Sequence, residues 1–258
     1  MEKRDYEKRV VIYKKIHKIN SKDFLRFVKI VSPKSKEKIL DCMSGYGEAG
    51  KSLLEKEKNI ELYFLDNSNL QIKRAKESFS KISKDKFIIA PAIKTSFEKE
   101  FFDKVVIKMG LHEVGKSNLP KLFKEIHRIL KPNGKFVIWN MILDENNKEA
   151  FRKIFRKKDE LANFKELVKN RYFPTEKELE HLGNKFFNKT KKMHNGNLIF
   201  ATRVRLDSEF KGDLNKLNEL NYFIRKNFPQ KIKKQFNFRD NKDNIEFNIN
   251  NNIWVLEK

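Results

Sequence analysis

The stretch "ILDCMSGYGEAG", residues 39–50, decides the fold class because it joins an apolar strand to a helix through a glycine-spaced turn. The apolar residues around Asp41 are typical of a short buried strand. Gly45 and Gly47 allow positive φ values and a close approach of the backbone to a ligand. The residues from Glu48 onward have helical spacing, so the amide dipole of that helix points at the turn. Strand, turn and helix in this order predict a ligand-binding loop at the carboxyl end of the strand.

The same alternation of strands and helices continues downstream. Apolar strand patterns recur in "IELYFLD", "KFIIAP", "FDKVVIKMG" and "GKFVIWNMI", and amphipathic helices separate them in "NLQIKRAKESFSKI" and "LPKLFKEIHRIL". Two further helices precede the glycine turn, and a later strand is predicted over 195–206, "NGNLIFATRVRL". Alternation at this spacing predicts βαβ units and a parallel sheet covered on both faces, which is the α/β class.

The composition is that of a globular protein. The chain has 258 residues, of which 39% are hydrophobic and 36% charged, and its 23 phenylalanines can fill a real core. No apolar run reaches the roughly 18 residues of a membrane span, and "MEKRDYEKRVV" lacks the apolar segment of a signal peptide. The single cysteine, Cys42, excludes an internal disulfide. We therefore expect a cytoplasmic protein that is not integral to a membrane.

The net charge of +23 makes nucleic acid a partner to consider, because such a field attracts polyanions. The lysines, however, are spread over the whole chain and greatly outnumber the arginines. A dedicated nucleic-acid groove usually interleaves arginines with aromatic residues on one element. A solvated lysine surface is the favoured interpretation, and nucleic acid stays an alternative.

The position of Asp66 indicates which ligand the glycine turn receives. Asp66 ends the second strand, close to the roughly 20-residue offset at which a carboxylate takes up ribose hydroxyls. That pattern favours an adenosine-containing ligand. A phosphate-binding P-loop is the competitor, since Gly45, Gly50, Lys51 and Ser52 satisfy its pattern literally. Glu48 would lie among the phosphate-binding amides, so an NTPase is the minority alternative.

Four motifs in series give a more specific expectation. "ILDCMSGYGEAG", "LYFLDNSNLQIKRAKE", "FFDKVVIKMGLHEV" and "IHRILKPNGKFVIWNMI" resemble the successive motifs of class I S-adenosylmethionine-dependent methyltransferases, in the group that includes quinone-biosynthesis and other small-molecule enzymes. The resemblance covers about 36–143. It implies a Rossmann-like, doubly wound and mostly parallel seven-stranded sheet with an antiparallel last strand and helical cap insertions.

The resemblance also implies a single methyltransferase domain over 1–258 and a division of labour along it. The predicted parts are N-terminal helices (1–33), a cofactor-binding core (34–143), two acceptor-lid insertions (144–172 and 207–240) and terminal strands (241–258).

Carried over by position, the resemblance assigns the cofactor contacts. It places Asp41, Ser44, Gly45 and Gly47 around the methionine and ribose portions of S-adenosylmethionine. Two departures from the family pattern concern Met43, where the family usually has glycine, and Ala92, whose backbone replaces an acid at the adenine. The remaining implied contacts are Asp66 on the ribose hydroxyls, Asn67 on the adenine, and the backbone of Lys108, Met109 and Gly110 beside the sulfonium.

The implied reaction is in-line transfer of a methyl group to a small-molecule acceptor, with S-adenosylhomocysteine as the second product. His112 and Glu113, in "GLHEV", occupy the place where the family often carries a histidine facing the acceptor, and a histidine can accept a proton near neutral pH. Packing of His112 over the cofactor, or capping of the following helix by His112, is an equal alternative. No metal is assigned, because His17, His181 and His194 lack ligand spacing. An RNA methyltransferase (tRNA or rRNA) and a methyltransferase-like binding module without turnover are the alternatives.

Overall fold

The computed structural model of the protein describes residues 21–258. This part of the chain contains eight strands and ten α-helices. The strands are β1 (Lys38–Cys42), β2 (Glu61–Asp66), β3 (Phe87–Ile89), β4 (Phe102–Lys108), β5 (Leu130–Met141), β6 (Lys189–Ala201), β7 (Arg239–Asn241) and β8 (Asn244–Glu257). The helices are α1 (Ser21–Val31), α2 (Glu48–Lys56), α3 (Asn69–Ser78), α4 (Leu119–Ile129), α5 (Lys148–Leu161), α6 (Lys165–Asn170), α7 (Glu176–Phe186), α8 (Arg203–Ser208), α9 (Leu214–Asn227) and α10 (Gln230–Gln235). Helix α1 is the second of the predicted N-terminal helices, and the first falls in 1–20, outside the described residues.

The sheet has the strand order β3-β2-β1-β4-β5-β8-β6, and β7 pairs antiparallel with β8. Strand β1 is parallel to both of its neighbours. In the register of the sheet, Asp41 pairs with Phe64 of β2 and with Val106 of β4. The chain goes from β1 to β2 and β3 on one side and then crosses to β4 on the other. The carboxyl end of β1 is therefore the switch point of the sheet, where ligands bind in open α/β folds. The predicted α/β fold is confirmed, with the short β7 added to seven consecutive strands.

The described residues divide into two compact units. The core unit contains 21–140, 177–195 and 252–258, and the insert unit contains 141–176 and 196–251. A single domain over 1–258 stays a prediction.

Apolar burial on both faces of the parallel strands holds the core unit together. Phe27, Ile39, Leu53 and Phe64 have no exposed surface and belong to one hydrophobic cluster with Trp139. The Trp139 ring centroid lies 5.3 Å from that of Phe27. Full burial of each such side chain contributes about 1.5–3 kcal/mol, so this cluster dominates the stability of the unit.

The insert unit has its own aromatic core. The ring of Phe247 lies 4.8 Å from that of Phe200 and 5.0 Å from that of Phe228, and all three side chains are buried. Both stretches that the sequence predicts as an acceptor lid contribute to this unit: α5 and α6 fall in 144–172, and α9 and α10 fall in 207–240.

A buried ion cluster joins three segments of the insert unit. Lys158 Nζ lies 2.5 Å from Asp159 Oδ1 and 2.6 Å from Glu209 Oε2, and these three side chains are at most 2% exposed. Arg171 contacts Asp159, and Arg205 contacts Glu209, each at 3.0–3.1 Å. Removing one partner from such a cluster leaves an uncompensated buried charge, so the cluster fixes how α5 and α8 pack.

The strand predicted over 195–206 is too long at its carboxyl end. Strand β6 ends at Ala201, and residues 203–208 form α8. The apolar and polar residues of "RVRL" alternate as in a strand. Arg205 and Glu209 are nevertheless buried and paired with each other, and side chains four residues apart come into contact in a helix but are too far apart along a strand. In the described residues, no helix is long and apolar enough to cross a membrane.

Candidate active site

The carboxyl end of β1 places Asp41 beneath the amino end of helix α2. Asp41 is 1% exposed, and its Oδ2 accepts a hydrogen bond from the Gly50 amide at 2.9 Å. Gly47 precedes α2 and has no side chain to cap it. Asp41 therefore satisfies an amide of the first turn in place of an N-cap residue. Burial raises the pKa of Asp41 from 3.8 to about 7, against the opposing effects of the Gly50 amide and Lys108.

Asp66, at the end of β2, holds the glycine turn against the sheet. Its Oδ2 accepts a hydrogen bond from the Gly45 amide at 2.9 Å, and its Oδ1 accepts one from the Ser68 amide at 2.9 Å. An ionised carboxylate has about four acceptor sites, so each oxygen of Asp66 can accept more than one hydrogen bond. The structure thus brings the predicted residues Asp66 and Gly45 into direct contact.

Glycine is required at position 47 for two independent reasons. Gly47 has a φ of +85°, and a Cβ atom there would lie 2.6 Å from Cε2 of Phe79 and 2.8 Å from Cε1 of Phe64. Any larger residue would be strained and would also displace the aromatic core beneath the turn. The turn after β1 therefore packs directly against the rings of Phe64 and Phe79.

Met43 takes the position where the family usually has glycine, and its backbone has the conformation that glycine would have. Its φ is +58°, a left-handed value that costs a methionine energy. A Cβ on Gly110 would lie 2.8 Å from Cβ and 3.1 Å from Sδ of Met43. Gly110, after β4, thus leaves the space that the Met43 side chain, after β1, occupies. This packing brings the carboxyl ends of β1 and β4 into contact.

An ion pair between Lys108 and Glu48 connects the end of β4 to the start of α2. The Lys108 side chain is 11% exposed, and its Nζ also lies 4.8 Å from the centroid of the Phe24 ring. The resemblance assigned only the Lys108 backbone to the site. The structure adds a buried ammonium group beside the carboxylates that end β1 and β2, and its charge opposes the raised pKa of Asp41.

His112 lies in a 3-10 turn, Leu111–Glu113, just after β4, and is 6% exposed. Its Nδ1 lies 3.2 Å from Oδ1 of Asn140 on β5. The amide oxygen can only accept, so in this orientation Nδ1 carries the proton and Nε2 has the lone pair. Glu113 Oε1 is 3.9 Å from Nε2, close enough to stabilise a protonated ring by charge. The contact with Asn140 fixes the orientation of the His112 ring.

The other predicted contacts lie at the same edge of the sheet. Ser44 follows Met43 in the turn, and its amide donates to the Leu65 carbonyl at 3.0 Å. Met109 has a φ of +56°, and its amide donates to the Trp139 carbonyl at 2.7 Å. Asn67 is exposed beside Asp66, and Ala92 is buried beyond β3.

The P-loop pattern has a different structural meaning. Gly50, Lys51 and Ser52 lie inside α2, and a Cβ on Gly50 would lie 2.6 Å from the Phe64 ring. Gly50 therefore serves helix-to-sheet packing. Lys51 is exposed, with Glu55 as an ion-pair partner at 3.9 Å, and Ser52 Oγ donates to the Glu48 carbonyl. The pattern lacks the extended amide loop that cradles phosphate.

Two residues of the site were missed from the sequence. From the sequence, Glu48 argued only against a phosphate-binding loop. An acid in the first turn of the helix that follows β1 is, however, a sequence feature that can indicate a site residue. Asn140 was overlooked, although a polar residue inside "FVIWNMI" is unusual and its side chain is fully buried. Such a residue in an apolar strand usually has a specific partner, here His112.

These features define the class of fold. An open α/β sheet with a glycine turn after β1 and carboxylates ending β1 and β2 is a Rossmann-like nucleoside-binding architecture.

The comparisons with known proteins agree. Residues 39–134 match the family described as "Methyltransferase domain". The chain is 27% identical over 130 residues to the demethylmenaquinone methyltransferase of Thermotoga maritima, covering 50% of this chain and 54% of that protein. It is 32% identical over 129 residues to the ubiquinone/menaquinone biosynthesis C-methyltransferase of Rickettsia prowazekii, covering 47% and 50%. A solved putative methyltransferase from Bacillus halodurans superposes with a TM-score of 0.75 at 16% identity, covering 92% and 99%.

The chain therefore spans about half the length of the curated relatives that it matches. Residues 39–134 are thus similar to a methyltransferase domain, and the solved structure shows that the fold is shared over most of the chain.

Proposed function

We propose that the protein transfers the methyl group of S-adenosylmethionine to a small-molecule acceptor. The observation that carries this proposal is the charge of the site. Asp41, Asp66 and Glu48 surround the glycine turn, with Lys108 as the cation among them. Three carboxylates repel a phosphate group and attract a cationic one, and S-adenosylmethionine carries both a sulfonium and an ammonium group.

The positions of the acids suggest how the cofactor would be held. Asp66 would accept hydrogen bonds from the ribose hydroxyls, with Asn67 and the Ala92 backbone beside the adenine. Asp41 would face the ammonium group of the methionine portion, next to Ser44, Gly45 and Gly47. The sulfonium would lie against the backbone of 108–110. Met43 and the Lys108–Glu48 pair would narrow the space around the methionine portion of S-adenosylmethionine. We therefore infer that this portion of the cofactor fits tightly.

Methyl transfer requires little covalent chemistry from the protein. The donor is already activated, so a nucleophilic atom of the acceptor attacks the methyl carbon while the carbon–sulfur bond breaks in line, which releases S-adenosylhomocysteine. We propose that Nε2 of His112 takes the acceptor proton, with Asn140 fixing the tautomer and Glu113 stabilising the imidazolium that forms. Cys42 is not a nucleophile, because burial raises the pKa of its thiol.

Two of the matched relatives are named for methylation of quinone precursors, and their names guide the choice of acceptor. We propose an aromatic or quinol-type acceptor, whose ring carbon becomes nucleophilic when a neighbouring hydroxyl loses its proton. A base such as His112 suits that requirement. A nucleic-acid acceptor has no comparable support, and a cytoplasmic location stays a prediction.

The test begins with binding of the cofactor, measured by isothermal titration calorimetry with S-adenosylmethionine and S-adenosylhomocysteine. Asp66→Ala should weaken both by at least tenfold, because a charge-assisted hydrogen bond is worth about 1.5–3 kcal/mol. Asp85→Ala is the matched control, since Asp85 is an exposed carboxylate whose side chain bonds only locally to Ser83. Absence of binding to the wild-type chain would contradict the proposal. Mass spectrometry of reaction mixtures with reduced quinone precursors then tests methyl transfer.

A further inference from the structure

A cavity lies in the core unit at the amino end of β4, the opposite end of the sheet from Asp41. Its volume is about 650 Å³, and we call it the basic pocket. Helix α4 forms one wall and residues 93–100 form another. Lys258 completes the cavity, held by a hydrogen bond from its Nζ to the Leu130 carbonyl at 2.6 Å. The cationic side chains that line the basic pocket are Lys94, Lys99, Lys121, Lys124, Arg128 and Lys258.

Both carboxylates in the lining are already engaged. Glu125 accepts hydrogen bonds from the amide and hydroxyl of Thr95 and from Nε and Nη2 of Arg128, at 2.5–2.9 Å. Glu100 pairs with Lys99 at 3.6 Å and with Lys258 at 3.4 Å. These bonds hold the walls together and neutralise part of the charge. They leave no carboxylate for the remaining lysines.

Three lysines of the pocket therefore have no counter-charge of their own. Among residues 21–258, the side chains of Lys94, Lys121 and Lys124 make no ion pair. Six cations against two carboxylates give the lining a formal surplus of four positive charges. Positive charges that line one cavity repel one another and raise the local concentration of anions. The charge of the basic pocket therefore favours a multiply charged anion.

The shape and lining indicate the size of that anion. A volume of about 650 Å³ lies in the range of small-molecule sites, which is roughly 300–1,000 Å³. No aromatic ring of Phe, Tyr or Trp lines the pocket, and its one arginine is engaged with Glu125. A groove for single-stranded nucleic acid would offer stacking platforms and available arginines. Lysine ammonium groups around a compact cavity suit the terminal oxygens of linked phosphates.

We propose that the basic pocket binds the oligophosphate group of a small ligand, at a site separate from the methyl-donor site. The proposal concerns binding alone and involves no bond-making step. It does not depend on the proposed methyl transfer, because none of the residues that line the pocket belongs to the candidate active site.

The experiment is calorimetric titration of the full chain with sodium tripolyphosphate, in wild type and two triple variants. The first variant is Lys94→Gln, Lys121→Gln and Lys124→Gln. The control is Lys29→Gln, Lys56→Gln and Lys73→Gln, which removes the same three charges from exposed positions on α1, α2 and α3. Net charge falls equally in both, so diffuse attraction to a lysine-rich surface weakens equally in both.

We expect the pocket variant to weaken tripolyphosphate binding at least tenfold and the control to change it less than twofold. Equal losses in the two variants, or no saturable binding to wild type, would overturn the proposal. Tighter binding of a single-stranded RNA that both variants weaken alike would also overturn it, in favour of a diffuse nucleic-acid surface. S-adenosylmethionine affinity, measured in the same samples, reports folding and the proposed donor site independently.

Discussion

Asp41→Asn offers the sharpest test of the charge argument, because it removes one charge while keeping the shape of the side chain. The amide oxygen of asparagine can still accept the hydrogen bond from Gly50. Burial raises the pKa of Asp41 from 3.8 to about 7. The wild-type carboxylate therefore ionises across neutral pH, and only its ionised form attracts the ammonium group of S-adenosylmethionine.

The sign and size of the effect follow from that pKa. Below pH 7 the carboxyl is protonated and its attraction for the cofactor is lost, so affinity should rise with pH. If only the ionised form binds well, the dissociation constant falls about tenfold between pH 6 and pH 8, which corresponds to about 1.4 kcal/mol. Because the folded chain holds this proton more tightly than the unfolded chain, the contribution of Asp41 to the stability of the unliganded protein should instead be fully present below pH 3.8 and be lost as pH rises through about 7.

The assay is calorimetric titration with S-adenosylmethionine at half-unit steps from pH 6 to pH 8. Asp41→Asn should bind more weakly at pH 8 and show a nearly flat profile. Asp103→Asn is the control, because Asp103 is also an acceptor for a backbone amide, that of Lys38, but lies at the amino end of β4. A variant of Asp41 that keeps the full tenfold slope would refute the reasoning, since the titrating group would then be elsewhere.

Three further predictions concern packing, catalysis and the insert unit. Gly110→Ala should destabilise the chain by about 1–3 kcal/mol in urea unfolding, because its Cβ would meet Met43, and Met43→Gly added to it should restore most of the loss. His112→Gln should lower kcat for a productive acceptor by about 10²–10⁴-fold and leave the dissociation constant of S-adenosylmethionine within twofold. Glu209→Gln should cost about 3–5 kcal/mol in urea unfolding, because Lys158 would lose a buried counter-charge.

Each of these predictions has an outcome that would contradict it. If Met43→Gly does not rescue Gly110→Ala, the clash is not the cause of the loss. If His112→Gln weakens cofactor binding as much as it lowers kcat, His112 acts by packing. For the ion cluster the control is Glu219→Gln, which removes a half-exposed partner of Lys157 and should cost less than about 1 kcal/mol. Equal losses for Glu209 and Glu219 would show that burial of the pair is unimportant.

Much of the fold and part of the site could be predicted because both are encoded locally. The apolar strands, the amphipathic helices and the glycine turn each occupy fewer than about fifteen consecutive residues, and short-range patterns predict such elements. Asp41 and Asp66 were located because each ends a strand pattern, and parallel strands bring their carboxyl ends to one edge. The end of β6 was predicted wrongly because the polar and apolar residues of "RVRL" alternate as in a strand. The contact that accompanies the helix joins Arg205 to Glu209, and Glu209 lies outside those four residues.

Sequence patterns alone therefore establish the α/β class, the strand that begins the predicted cofactor-binding core and the acids at the carboxyl ends of β1 and β2. The contacts of Glu48 with Lys108, Met43 with Gly110 and His112 with Asn140 arise from the tertiary structure and could not be predicted from local patterns. These partners lie 28 to 67 positions apart, on or directly after elements whose adjacency depends on the order of the whole sheet. Local propensities carry no information about that order, because it is set by which apolar faces pack together when the chain folds.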